Sequence, residues 1–263
     1  MAHRKHDETS TISRRSFLKT GVAAAAAGSF SAGVESIAHA VPAPKQATGD
    51  LFDQLRDAPT TLIIDALSRL GYDRTKLAMS QEVRPVVPVK GTAIGPAVIT
   101  KYEPSREPTT TDDILKYVFQ PVDDAPPGAM WITAAGTDEI LSMFGDVIVL
   151  ACQKLGLSGL VTDGGCRDIE GMLEVGLPVY ARGLCLYGPG NVIRPVAADV
   201  PVICGGIEIR PGDIVAADIN GVMAFPAEAL PDVTAKRKEI EAKEAESRAL
   251  FEQGKGLVEG YQF

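Results

Sequence analysis

The chain has 263 residues, 45% hydrophobic, 23% charged and 6% aromatic, and its 26 Lys+Arg against 34 Asp+Glu give a formal net charge of −8. That apolar share excludes a disordered chain and suffices for one large domain or two small ones. The acidic balance argues against an electrostatic nucleic-acid binder, which needs a cationic face, and four cysteines are too few for a disulfide scaffold at this length.

The first forty residues read as an address. Ser13-Arg14-Arg15-Ser16-Phe17-Leu18-Lys19 is followed by a weakly apolar run from Gly21 to Ser31 and by Ala38-His39-Ala40. A basic region, a short apolar run and a small-x-small exit make a secretory signal. The paired arginines before Phe-Leu-Lys resemble the twin-arginine export signal, which implies a periplasmic or extracellular protein. A basic tail leading into an Ala-rich helix would leave the order of these features unexplained. The apolar run is shorter than the roughly 20 residues of a membrane span, so no stable membrane anchor is expected. Residues 1–40 are assigned to the signal, 41–49 to a linker and 50–263 to one folded domain.

All three histidines, His3, His6 and His39, lie in the signal. A mature chain without histidine has no Ser-His-Asp or Cys-His catalysis and no imidazole acid–base chemistry. Histidine-ligated zinc and iron go with it. Carboxylates, Arg, Lys, Tyr, thiols and backbone amides remain, with any hard cation that carboxylates hold.

Along the domain, Leu62, Ile63, Ala66, Leu67 and Leu70 have helical spacing within 50–71, and Gly71 supplies a stop. Val86 to Lys101 alternates and reads as two strands, with Gly91 and Gly95 as breaks. Residues 103–128 are a Pro-rich loop around a short helix near Ile114–Phe119, with Asp112-Asp113 and Asp123-Asp124 as solvated loop charges. Met130 to Ala134 is a strand, and Gly145 to Leu155 a helix with Val147, Ile148, Ala151 and Leu155 on one face. A strand over Gly159–Thr162, a helix over Ile169–Val175 ended by Gly176 and Pro178, and a strand over Val179–Ala181 follow. This alternation argues for α/β units with parallel pairing. Short strands and tight turns then run from Val192 to Phe225, and 232–253 form an amphipathic helix.

The densest chemistry is Thr162-Asp163-Gly164-Gly165-Cys166-Arg167-Asp168, at a strand's C-terminal end and just before a helix. Ligands of α/β sheets bind there, because loops converge and helix N-termini offer unpaired amides. Arg167 suits a carboxylate or an enolate oxygen. Asp168 can start the helix, hold a metal or its waters, or both. Alone, the pair also fits a helix cap beside a surface ion pair. Phe144-Gly145-Asp146-Val147-Ile148 opens a second helix, whose amides could receive a carboxylate. Gly188-Pro189-Gly190 lacks a dinucleotide fingerprint. The cysteines show no C-x-x-C spacing; Cys152, Cys185 and Cys204 read as buried apolar side chains and Cys166 as packing.

These residues resemble the family of RraA-like proteins and class II 4-hydroxy-4-methyl-2-oxoglutarate/4-carboxy-4-hydroxy-2-oxoadipate aldolases. The resemblance runs from Phe144-Gly145-Asp146 through Gly159-Leu160-Val161-Thr162-Asp163-Gly164-Gly165-Cys166-Arg167-Asp168 into Gly176-Leu177-Pro178-Val179-Tyr180-Ala181-Arg182-Gly183. Asp65-Ala66-Leu67, Gly95-Pro96-Ala97, Pro211-Gly212-Asp213 and Asn220-Gly221-Val222 support it. The export signal, the Pro-rich loop and Trp131-Ile132 depart from the family pattern.

The resemblance implies an α/β single domain of the swivelling β/β/α type with a C-terminal helix, assembled as a homotrimer or homohexamer with sites at subunit interfaces. It implies a divalent metal, Mg²⁺ or Mn²⁺, held through Asp168 and its waters. A small-molecule 2-oxo acid would place its carboxylate on the amides of Gly145, Asp146, Val147 and Ile148, with Arg167 beside the keto oxygen. The implied reaction cleaves a 4-hydroxy-2-oxo dicarboxylic acid to pyruvate and a second oxo acid, with oxaloacetate decarboxylation as a companion. Catalysis is expected to fall to Arg167; no side chain stands out as the base for the 4-hydroxyl proton, and a metal-linked water oriented by Asp146 is the expected one. The alternative is a non-catalytic RraA-type regulator that binds a ribonuclease; such regulators typically lack the Asp after the Arg.

Overall fold

Residues 48–87 and 90–262 are described in a computed structural model of the chain. The signal assigned to 1–40 and most of the linker assigned to 41–49 lie outside the described residues. The helical stretch expected within 50–71 is two helices, α1 (Thr48–Arg56) and α2 (Thr60–Arg69). They part before Pro59, which has no N–H to continue the first and a φ of −64° suited to starting the second. Buried Asp218 anchors that start, accepting from the Thr60 N–H at 2.8 Å and its hydroxyl at 2.7 Å.

Strand β1 (Arg84–Val87) is followed by β2 (Ala93–Pro104), which runs unbroken through the expected break at Gly95. The glycine serves a crossing instead: a Cβ at position 95 would stand 1.8 Å from the Gly128 carbonyl oxygen. Two backbones cannot absorb such an overlap by rotating a side chain. Gly95→Ala is expected to destabilise the domain by about 3 kcal/mol or more, read by urea denaturation. A loss below about 1 kcal/mol would show that the two segments part easily.

The Pro-rich span is more helical than expected. It contains α3 (Thr111–Ile114), a π-helical turn over Leu115–Phe119 and α4 (Gln120–Asp123). Pro121 cannot donate to the Tyr117 carbonyl, so the helical ladder loosens there. Asp113 forms a capping box with Thr110, whose N–H and hydroxyl hold its carboxyl below the usual range.

The expected α/β alternation is present. It runs through β3 (Met130–Ala134), β4 (Ser142–Phe144), α5 (Asp146–Leu155), β5 (Gly159–Thr162), β6 (Gly165–Cys166), α6 (Ile169–Val175), β7 (Val179–Ala181) and β8 (Gly183–Leu184). Then come β9 (Ile193–Ala198), β10 (Val202–Cys204), β11 (Ile207–Ile209), β12 (Ile214–Asp218) and β13 (Gly221–Phe225), with α7 (Leu230–Glu252) and α8 (Leu257–Gly260) closing the chain. The main sheet has the order β1-β7-β5-β3-β2-β12-β13, with β9 also on β2. Its centre, β2-β3-β5-β7, is parallel, and its flanks are antiparallel.

Strand periodicity divides the core. Ile99, Met130, Ile132, Val161, Tyr180 and Val215 fill one cluster inside the curl of the sheet, where Val202, Cys204, Ile207 and Ile209 of β10 and β11 join them. The alternate residues Trp131 and Leu160 face outward and meet Phe144, Val149, Cys152 and Met172. A third cluster joins α1 and α2 to Val233 and Ile240 of α7 over Ile94 and Phe225. The fold is thus mixed α/β: a curled half-barrel sheet with outer helices and a C-terminal helix.

Helix α5 has its expected span, but Val149 and Cys152 are its buried residues. Val147 is 72% exposed and Leu150 43%. Apolar residues occupy both faces, so periodicity located the helix without giving its phase. Among the cysteines, Cys152, Cys166 and Cys204 are buried, whereas Cys185 is only partly so, against expectation.

Candidate active site

Strands β4, β6 and β8 form a small parallel sheet that pairs Ser142 with Gly165, Phe144 with Cys166, and Gly165 with Gly183. Two of its strands lead almost directly into helices, β4 into α5 and β6 into α6. The sheet therefore sets two helix N-termini side by side. The Phe144 carbonyl locks them together, accepting from the Arg167 N–H at 3.1 Å and the Ser142 hydroxyl at 3.1 Å. Behind it, the Trp131 ring packs on Phe144 with centroids 5.1 Å apart, and its indole N–H donates to Thr100 Oγ1 at 3.0 Å.

Gly145, Asp146, Val147, Ile148, Arg167 and Asp168 all line one open cavity of about 240 Å³. The two clusters, which the resemblance sets around one substrate, line a single cavity. Gly188 and Pro189 also line it, although the sequence offered only a missing dinucleotide fingerprint there. Their signal was the Gly-Pro-Gly stretch after β8, which is held by a bond from the Ser142 N–H to the Tyr187 carbonyl at 3.0 Å and runs into a turn closed by the Val192 N–H on the Pro189 carbonyl at 3.0 Å.

Gly145 caps α5 without a side chain, and Asp146 Oδ1 accepts from the Val147 N–H at 2.8 Å. One first-turn amide is therefore already engaged. Asp168 occupies the cap position of α6, as one reading held, but its side chain accepts from no helix amide. Its φ of 61° and ψ of 43° put it in the left-handed region, which aspartate and asparagine enter more readily than other non-glycine residues. Asp168 Oδ2 lies 3.3 Å from Arg167 Nε, each side chain about half exposed, so this pair contributes little stability by itself. With no capping bond to a helix amide, its carboxylate is turned to the cavity and to Arg167.

The neighbouring candidates have structural roles. Asp163 accepts from the Ala135 N–H at 2.8 Å and the Gly205 N–H at 3.2 Å, joining the ends of β3 and β5 to the β10–β11 turn. Burial raises its carboxyl pKa, and these amides oppose the rise. Burial pushes the Cys166 thiol up to about 11, so it packs rather than supplying a thiolate.

Residues 60–224 match the family model described as RraA-like, Aldolase/RraA. The chain belongs to this family. A Halalkalibacterium halodurans protein named "Putative 4-hydroxy-4-methyl-2-oxoglutarate aldolase" is 31% identical over 211 residues, covering 78% of this RraA-like chain and 90% of that one. Among solved structures, an uncharacterized protein from Pseudomonas syringae pv. tomato matches with a TM-score of 0.68 at 23% identity, covering 81% of this chain and 96% of that one. Streptomyces coelicolor RraAS2, described as an unusual member of the RNase ES inhibitor RraA protein family, matches with a TM-score of 0.64 at 24% identity, covering 76% and 96%. Both share the fold. Residues 11–31 match the model of the twin-arginine translocation signal sequence, which indicates export by that route. Among the described residues, no helix is long and apolar enough to cross a membrane.

Proposed function

We propose that this RraA-like chain is a carbon–carbon lyase that cleaves a 4-hydroxy-2-oxo dicarboxylic acid to pyruvate and a second oxo acid, and decarboxylates oxaloacetate. One observation carries the reading: Arg167, Asp168 and the start of α5 share a single cavity. The first turn of α5 would receive the substrate carboxylate, where the helix end favours an anion. Arg167 would sit beside the 2-oxo oxygen. When the C3–C4 bond breaks, its electron pair passes into the pyruvyl unit and the 2-oxo oxygen becomes an enolate. A guanidinium already in place offsets that charge without reorganising. Asp146 would take the 4-hydroxyl proton through a water, so that C4 leaves as a carbonyl carbon. The enolate is then protonated at C3 to give pyruvate.

Among the described residues, no group of three or more His, Cys, Asp or Glu side chains forms a metal cage. Asp168, half exposed, beside Arg167 and free of helix amides, instead suits a hard cation that keeps most of its water. When bound, Mg²⁺ or Mn²⁺ held through Asp168 would add positive charge beside the developing enolate. A homotrimer or homohexamer belongs to the same proposal, supported by exposed Val147 and Leu150 next to the cavity. So does a periplasmic or extracellular location, supported by the export signal.

The test is pyruvate release from oxaloacetate and from 4-hydroxy-4-methyl-2-oxoglutarate. Release should stop with EDTA and return with excess Mg²⁺ or Mn²⁺. No pyruvate from either acid with metal supplied would overturn the lyase reading and leave the non-catalytic regulator.

A further inference from the structure

The two carboxylates of the site are crossed between two helices. Asp168 precedes α6, yet its Oδ2 fills the space above Gly145, where a Cβ would stand only 2.9 Å from it. Asp146 begins α5, yet it rests on Gly171, the third residue of α6. A Cβ at position 171 would stand 2.7 Å from Asp146 Oδ2, 2.8 Å from its Cβ and 3.1 Å from its Cγ. Carbon atoms pack at about 3.5–4.0 Å, so these distances leave no room for a methyl group.

Rotating the Asp146 side chain would relieve the contact with Oδ2 alone. It would not relieve the contact with Cβ, which the backbone of the first residue of α5 holds in place. Any side chain at 171 must therefore drive the start of α5 and the body of α6 apart. Glycine is a poor helix former, and Gly171 has no left-handed backbone to explain its presence. The close approach does explain it.

Asp146 is also a partition. It lines the site cavity on one side and, together with Gly171, an open groove of about 410 Å³ between α5 and α6 on the other. The Val147 N–H holds one carboxylate oxygen at 2.8 Å, and Gly171 sets how far back the other can sit.

We propose that Gly171 is a positioning residue, whose missing side chain seats Asp146 against α6 and so sets the reach of that carboxylate into the cavity. The assignment rests on the lyase reading for what Asp146 does. Aldol cleavage requires a hydroxyl proton to be removed, whereas loss of CO₂ from oxaloacetate yields the same enolate with no such proton. A device that places Asp146 should therefore matter to the first reaction and hardly to the second.

In the full chain, Gly171→Ala is expected to lower kcat for cleavage of 4-hydroxy-4-methyl-2-oxoglutarate by about 10²-fold, the scale of a 1 Å misplacement, while KM rises alike for both acids because the shifted start of α5 also receives their carboxylate. Oxaloacetate decarboxylation should keep most of its kcat. In an Asp146→Asn background, Gly171→Ala should add no further loss of cleavage. Thermal melting reads the contact without activity. Gly171→Ala should lower Tm in the native chain and raise it in an Asp146→Gly background, where the obstructing Cβ is gone and helix propensity decides. Equal kcat losses in both reactions, unchanged cleavage, or a Tm that rises in both backgrounds would overturn the positioning role. A native chain that releases no pyruvate from either acid would sink the lyase reading instead, and the melting cycle would still judge the contact.

Discussion

Arg167→Ala is expected to lower kcat/KM for pyruvate release by about 10²- to 10³-fold, the loss of about 3 kcal/mol seen when a preorganised donor is removed from a developing oxyanion. The side chain is half exposed and lines the cavity, and among the described residues its ion pair is with Asp168. Little folding stability depends on so exposed a pair, so Tm should stay close to that of the native chain. Arg167→Lys should recover only part of the rate, because an ammonium lacks the planar donor fork. Steady-state kinetics with oxaloacetate, beside a melting curve, check both statements. A kcat/KM within about threefold of the native value would take Arg167 out of the reaction.

Asp168→Asn separates chemistry from backbone strain. Asparagine tolerates the left-handed conformation found here, at φ 61°, so the fold should stand. The carboxylate is lost, and with it the proposed hold on a divalent cation. Turnover should fall by about 10²-fold or more, and the Mn²⁺ concentration giving half-maximal rate should rise. Asp168→Ala should show the same kinetic loss with an added stability cost of about 1–2 kcal/mol, because alanine pays for the backbone that asparagine accepts. Metal titration of pyruvate release and thermal melting read the two effects separately. An Asp168→Asn protein with native rate and native metal requirement would remove Asp168 from the metal assignment.

Much of the fold was legible because local order reports it. The strand over Met130–Ala134 and the helix over Ile169–Val175 have their expected bounds, and Gly176 ends the helix with a positive φ of 76°. Misreadings arose where a residue's partner is remote in sequence. Gly95 looked like a strand break because Gly128, whose carbonyl requires it, lies more than thirty residues away. Val147 looked like core because α5 carries apolar residues on both faces, and only packing on β3 and β5 selects Val149 and Cys152. Pro121 looked like a loop residue, although a π-turn lets a helix continue past it.

Sequence by itself determined the export signal, the absence of histidine after it, the α/β alternation and the residue types available for chemistry. These follow from composition and from spacings within a single turn or strand. The resemblance set Gly145–Ile148 and Arg167 about one substrate, but only the tertiary structure shows them lining one cavity, Asp168 uncapped in a left-handed conformation, and Gly171 bearing on Asp146. The physical reason is the parallel pairing of β4 with β6. A parallel neighbour is reached only through a long crossover, so residues that meet across it are far apart in the chain. No local pattern records how closely two helix ends will approach.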